Sequence, residues 1–328
     1  MKKIVSCTLF LVVLVAFTSC GDNGEYYELY EQEHVVDAEP TPSLTPQVVA
    51  TPQPFIDTND EIPFMWLVTA PSGQTMYIFG SIHATTADLY PLSSVVMDAF
   101  HRSDYLALEI WGSSTPTFTD LLTYADGRTI TDDISYELYK SAVAIFVELE
   151  MPYDTLDSFM PPVWHSMLAG VAVEKSSLST EYGLEVFFAL EAQRDGMDIL
   201  SIECIIELSE LFSSMSTLLQ EGLIEKYLDV NRVANLYNRI YRSWRLGDEA
   251  GLLELRLEYL EMLGDDALVA EYTATILTQR DIQMTDRAEQ FMSEEIKVFF
   301  VVGAFHVIGE NSVIDLLIQR GYVVERIR

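Results

Sequence analysis

The chain has 328 residues, with 51 acidic against 19 basic side chains and a net charge of −32. Binding a phosphate backbone needs concentrated Lys and Arg, so this balance argues against a nucleic-acid partner, and it disfavours electrostatic adhesion to anionic lipid. Acidity of this size suits a soluble extracytoplasmic domain and favours cationic substrates or metal ions.

Met1-Lys2-Lys3 followed by the apolar run Ile4 to Phe17 reads as a secretory signal over residues 1–19, too short to span a bilayer comfortably. Its end, Phe17-Thr18-Ser19-Cys20-Gly21, resembles the lipobox of bacterial lipoproteins, with Phe17 a less usual residue three places before the cysteine. The resemblance implies that Cys20 is acylated as the first residue of the mature chain and anchors it to a membrane of the bacterial cell envelope, outside the cytoplasm. The alternative is an ordinary signal peptide with Cys20 left as a free thiol. With Cys7 lost in the signal and Cys204 alone, no intramolecular disulfide framework is available.

Residues 20–61 contain no Lys or Arg, are acidic from Glu25 to Glu33, and then carry Pro40, Pro42, Pro46, Pro52 and Pro54. Such a segment buries too little apolar surface to fold and reads as a disordered tether. Tyr26, Tyr27 and Tyr30 offer the alternative of a docking segment for another protein.

Residues 62–328 have the length and apolar content of one domain, with no internal linker and no solenoid repeat. Phe64 to Thr69 and Thr75 to Phe79 read as a hairpin around Pro71-Ser-Gly73. Leu92 to Arg102 has helical spacing, and Tyr105 to Ile110 is the next strand. The middle, from about Thr131 to Leu277, is mostly amphipathic helix, as in Ser135 to Glu148, Gly183 to Arg194 and Ala250 to Leu263, interrupted by a strand at Met197 to Glu203. A helix up to Phe291, the strand Lys297 to Val302, the helix Ser312 to Gln319 stopped by Gly321, and the strand Tyr322 to Ile327 complete the chain. Strands alternating with helices at both ends imply an α/β fold with a largely parallel or mixed sheet.

Two stretches share one form, an apolar run ending in Gly-x-x-His: Met76-Tyr-Ile-Phe-Gly80-Ser-Ile-His83 and Val298-Phe-Phe-Val-Val-Gly303-Ala-Phe-His306. In both, the glycine is expected to permit a sharp exit from a buried strand and the histidine to land just beyond it. Glu109 and Glu203 stand at the ends of two further strands. In a parallel sheet these ends share one edge, where open α/β folds place their functional groups. Two imidazoles and one or two carboxylates there would suit Zn²⁺, Mn²⁺ or Co²⁺, with a position left for water. Such an ion activates water and polarises a carbonyl, while a second carboxylate serves as general base.

The paired Gly-x-x-His motifs, Leu108-Glu109-Ile110, and Val301-Val-Gly-Ala-Phe-His306-Val-Ile-Gly309 running into Leu316 to Val324 resemble the TraB/GumN family, which includes the Tiki metalloproteases. Tyr182-Gly183-Leu184-Glu185, Ile202-Glu203 to Leu208, and Arg280-Asp281 resemble further segments of that family, so the likeness runs in order over residues 63–328. It implies a fold akin to the erythromycin-esterase and ChaN group. For Tiki-like members it also implies a metal-dependent peptidase using two histidines and a glutamate. The chain departs from the family where Trp111 replaces the second carboxylate of Glu-x-Asp, Glu185 replaces an aspartate and Asp281 an asparagine.

The expected site therefore has His83, His306 and Glu109 as ligands, with Glu109, Glu203 and Arg280 serving catalysis on a peptide or small ester. Arg280 is expected either to hold a substrate carboxylate or oxyanion or to form an ordinary ion pair. His101 reads as a solvated helix residue, His165 as a packing or capping residue at a helix start, and His34 belongs to the tether. Cys204 reads as packing inside a buried strand end, and Asp88 is left open. The competing reading is a non-catalytic protein that binds haem, metal or a peptide signal at the same edge.

Overall fold

The structure is a computed structural model that describes residues 64–112, 116–149 and 155–327. The expected signal, the lipidation site Cys20, the tether and His34 lie outside the described residues. No helix among the described residues is long and apolar enough to cross a membrane.

Six strands form one mixed sheet: β1 (Met65–Thr69), β2 (Thr75–Ser81), β3 (Tyr105–Leu108), β4 (Asp198–Ser201), β5 (Val298–Gly303) and β6 (Val323–Ile327), in the spatial order β4-β3-β5-β2-β1-β6. β1 pairs antiparallel with β2 and with β6, whereas β2–β5, β5–β3 and β3–β4 are parallel. The β1–β2 turn forms as the sequence predicts, with Gly73 at φ +93°. β5 is the central strand, and Val298 to Val302 are all buried, as a strand covered on both faces requires.

The helices are α1 (Ser94–His101), α2 (Phe118–Leu121), α3 (Tyr136–Glu148), α4 (Pro161–Lys175), α5 (Leu184–Asp195), α6 (Ile205–Ser213), α7 (Thr217–Glu225), α8 (Val230–Arg245), α9 (Glu249–Glu261), α10 (Asp266–Tyr272), α11 (Arg280–Ser293) and α12 (Val313–Gln319). A π-helical turn, Thr273–Gln279, joins α10 to α11. The predicted elements are present, with ends moved by a few residues: β3 stops at Leu108 rather than Ile110, and β4 is shorter than Met197 to Glu203.

Two apolar clusters hold these elements. The first surrounds the sheet, where the rings of Phe79, Phe100, Phe188 and Phe299 pack edge to face, tilted or stacked at 4.9–5.8 Å between centroids. The second lies among α2, α3, α4, α6, α7 and α8 and is built on Trp164, Phe146, Phe212 and Tyr227. Pro161 and Pro162 open α4, where a missing N–H costs nothing. His165, one turn on, is buried with its ring against Tyr227, which is the packing role expected of it.

The helical middle is tied to the histidine end of the sheet. Trp244 of α8 donates its indole N–H to the Gly80 carbonyl at 2.8 Å, and Tyr241 bonds the Thr86 hydroxyl at 2.7 Å. Arg256 of α9 donates to the carbonyls of Phe305 and Ile308 at 3.1 and 3.0 Å. These two helices brace both histidine loops from outside the sheet.

Candidate functional site

His83, His306, Glu109 and Glu203 follow the C-terminal ends of β2, β5, β3 and β4, four contiguous parallel strands. The register aligns those ends, with Ser81 opposite Gly303 and Leu108 opposite both Val301 and Ser201. The backbone continues the alignment past β3 and β4, where the Glu203 N–H donates to the Glu109 carbonyl at 2.8 Å. The four residues therefore share one edge, as alternating strands and helices predict.

The two glycines act differently from expectation. Gly80 lies inside β2, and Gly303 has an ordinary φ of −54°, so neither makes a turn that only glycine could make. Their role is space. A Cβ on Gly80 would lie 2.6 Å from Val307 Cγ2 and 3.1 Å from Phe64 Cβ. At Gly303 the backbone N–H donates to Glu109 Oε1 at 2.6 Å, and a Cβ would sit 3.3 Å from that oxygen.

Each histidine is held at Nδ1 by a carboxylate. His306 Nδ1 lies 2.5 Å from Asp281 Oδ1, with both side chains nearly buried, and His83 Nδ1 lies 3.1 Å from Glu185 Oε1. Ser81 donates its hydroxyl to Glu185, which fixes that carboxylate in turn. Burial alone would lower the His83 pKa, but the charge and hydrogen bond of Glu185, with the charge of Glu109, push it up to about 9. Burial raises the pKa of Asp281 against the opposing bond and charge of His306. Glu185 and Asp281 were legible only as departures from a family pattern, and their role as histidine partners was missed.

Arg280 enters from the first residue of α11. Its Nε donates to Glu203 Oε1 at 2.8 Å, and its Nη2 donates to Glu203 Oε2 at 2.6 Å and to Glu109 Oε2 at 2.8 Å. All three side chains are at most 15% exposed. Burial acts to raise the Glu109 pKa, but Arg280, both imidazoles and the Gly303 N–H draw it down to about 2. Burial opposes the Arg280 charge, yet Glu203 and Glu109 raise its pKa further above the usual guanidinium range. Arg280 thus forms an ion pair with the two strand-end glutamates, not with its neighbour Asp281. A π turn, which often marks functional sites, immediately precedes it.

The remaining candidates fall elsewhere. Asp88 pairs with Arg245 at 2.6 Å, and His101 lies 3.4 Å from Asp195 at an exposed helix end. Cys204 is exposed at the N-terminus of α6, which corrects the expectation of a buried packing residue: β4 ends at Ser201, so Cys204 lies outside the sheet. Beside Glu203 a cleft of about 540 Å³ opens between the start of α6 and α11, with Cys204, Glu207, Gln279, Gln283 and Asp286 on its walls.

The donor chemistry bears on a metal in two ways. A histidine whose Nδ1 is fixed by a carboxylate presents Nε2 as a ligand in an oriented tautomer, and both histidines have this arrangement. Glu109 has both oxygens committed, to Gly303 and to Arg280. Among the described residues no three His, Cys, Asp or Glu side chains are placed to hold one ion together. Each imidazole is oriented as a ligand would be, and the glutamate does not fit as a further donor.

These features define an α/β protein with a histidine–carboxylate edge at the C-terminal ends of its parallel strands. The chain belongs to the TraB/PrgY/gumN family, whose model matches residues 64–326. No curated protein and no solved structure matches it.

Proposed function

We propose that this member of the family is a hydrolase of peptides or small esters, working at the edge formed by His83, His306 and Glu109. The observation that carries the reading is the pair of carboxylate-held imidazoles at the ends of adjacent parallel strands, beside a glutamate that responds electrostatically to both. A divalent Zn²⁺, Mn²⁺ or Co²⁺ on the two imidazoles would activate water and polarise the scissile carbonyl. Glu185 and Asp281 orient the imidazoles. Glu109, held far below the usual carboxylate range, is a weak base at neutral pH and supplies fixed negative charge next to the histidines. Arg280 positions Glu109 and Glu203, and the cleft beside Glu203 is the place for a substrate chain. We place the protein outside the cytoplasm on a lipid anchor at Cys20, on the strength of the resemblance of residues 17–21 to a lipobox.

One observation favours a second reading. With both Glu109 oxygens taken, the edge offers imidazoles without a third protein ligand, which is a donor set suited to capturing a metal or haem rather than to turnover. Metal titration of the purified protein, beside His83→Ala and His306→Ala, followed by a screen of peptides and esters, separates the two. Hydrolysis requires metal-dependent turnover that chelator and either variant abolish. Tight metal or haem binding without turnover on any substrate class supports capture, and no metal binding under any loading condition defeats the hydrolase reading.

A further inference from the structure

Arg239, Arg242 and Arg245 recur every third residue along α8, which keeps them on one side of the helix. With Ser177, Asn238 and Tyr241 they line a pocket of about 500 Å³. None of the lining residues is acidic, although the chain carries 51 acidic side chains. The donors around this pocket are also in excess. Arg239 has one N–H on Glu258 at 2.8 Å, and Arg245 is occupied by Asp88 and the Tyr241 hydroxyl. Arg242 is exposed and has no carboxylate partner among the described residues. Asn238 Oδ1 accepts from the backbone N–H and hydroxyl of Ser177 at 3.1 and 2.7 Å, which fixes the amide with its Nδ2 donors directed elsewhere.

We propose that this pocket is an oxyanion site that takes a phosphate group. Guanidinium forks and an amide donor arriving from one helix face match a tetrahedral anion with several oxygens better than a two-oxygen carboxylate. A net charge of −32 repels anions from the chain as a whole, so a pocket lined by three arginines and no acid is a local exception, with Arg239 and Arg245 partly offset by Glu258 and Asp88 and the Arg242 charge left over. The same charge disfavours adhesion of the domain's surface to anionic headgroups, with or without a lipid anchor at Cys20, and makes a soluble phosphate compound the expected source. The pocket adjoins the His83 loop: Tyr241 bonds Thr86, Arg245 bonds Asp88, and Ser179, two residues after Ser177, pairs with Thr85. The site needs neither metal nor turnover and stands independently of the hydrolase reading.

The test is calorimetric titration of the full chain with inorganic phosphate at low ionic strength. It compares the parent with Arg242→Gln, Arg239→Gln/Arg242→Gln and, as a control, Arg102→Gln on the exposed end of α1, each checked for an unchanged melting transition. Saturable binding is expected in the parent and the control. It should be weakened about tenfold in Arg242→Gln, the value of one lost charge-assisted bond, and abolished in the double variant. A second arm measures sedimentation with phosphatidylglycerol vesicles. An Arg242-dependent share of vesicle binding would identify a lipid headgroup as the source, and phosphate binding with no such share identifies a soluble one. Absence of saturable phosphate binding, or equal affinity in the parent and the double variant, overturns the proposal.

Discussion

Arg280 holds Glu203 by two parallel hydrogen bonds, Nε to Oε1 at 2.8 Å and Nη2 to Oε2 at 2.6 Å, across 77 residues of sequence. A third bond from Nη2 reaches Glu109, so one guanidinium ties the ends of β3 and β4 to the start of α11. The cluster is nearly buried, and it sets a single guanidinium against two carboxylates.

Removing the cation therefore leaves two carboxylates without their partner. Arg280→Met is expected to cost about 3–5 kcal/mol of unfolding free energy, the range for breaking a buried pair from one side. Arg280→Lys should recover only part of this, because an ammonium cannot form the fork. Adding Glu203→Gln to Arg280→Met should be less destabilising than the sum of the two single changes. Urea unfolding of the four proteins measures this, and additive free energies would show that the bonds carry no coupling.

At the first histidine the issue is proton competition. His83 is pushed up to about 9 by Glu185 and Glu109 against the opposing effect of burial, so at neutral pH the imidazole is protonated. A metal ion must displace that proton, so affinity at this edge should rise about tenfold per pH unit up to about 9. Glu185→Gln removes the main charge that favours imidazolium and should shift this dependence toward lower pH. It should also weaken binding at high pH by about 10–100-fold, because the carboxylate no longer orients the ring. Zn²⁺ titrations between pH 6 and 9 read both effects; metal binding that ignores pH would remove His83 from the ligand set.

The fold and the edge were legible in the sequence to different depths. Apolar runs ending in Gly-x-x-His, and strands ending at Glu109 and Glu203, announced a shared sheet edge because strand direction and alternation with helices leave few ways to arrange them. The carboxylate partners were not legible. Glu185 and Asp281 stand in the first turns of α5 and α11, and nothing in a local pattern tells which distant loop a helix start will face. The same limit hid the choice of Arg280 between Asp281 and the two glutamates. The local pattern marks the glycines as turn residues, whereas Gly80 is set by the approach of Val307 and Phe64, a constraint visible only after packing.

A buried histidine in the helical region gives the stability a specific acid dependence. Among the described residues, both ring nitrogens of His165 and the side-chain nitrogen of Lys226 lack a hydrogen-bond partner, and the Lys226 nitrogen stands 3.5 Å from the Tyr259 ring centroid. Burial, with the Lys226 charge, lowers the His165 pKa to about 3, and burial lowers that of Lys226 well below its ordinary value. A histidine whose folded pKa lies below its unfolded value contributes stability fully above pH 6.5 and loses it as pH falls toward 3. The loss is about 1.4 kcal/mol per pH unit across that window. His165→Leu should remove this slope, so that urea midpoints at pH 7.5 and pH 5 differ less than in the parent. An unchanged difference between the two pH values would show that His165 is not the group responsible.

Gly183 connects local packing to the site. It immediately precedes α5, and its φ of −62° is one that any residue adopts, so alanine there meets no backbone strain. Space is the obstacle: a Cβ would lie 2.4 Å from the His83 carbonyl oxygen, 3.1 Å from the His83 carbonyl carbon and 3.1 Å from the Thr180 carbonyl oxygen. All three atoms are backbone, so no side-chain rotation relieves the contact, and the His83 loop must move. That loop is also held by the Thr85–Ser179 bridge and by the Leu184 N–H on the Ile82 carbonyl, both of which the movement would strain. Gly183→Ala is expected to cost about 1–3 kcal/mol of stability, as other overpacked changes do, and to weaken metal binding at His83 while Nδ1 loses its alignment with Glu185. Gly196→Ala provides the contrast, because Gly196 is left-handed at φ +68° and no described residue comes within 4 Å of its missing Cβ. Its cost should appear in the melting transition alone, with metal affinity unchanged. Equal losses of metal affinity in the two variants would show that the Gly183 effect is general destabilisation rather than displacement of His83.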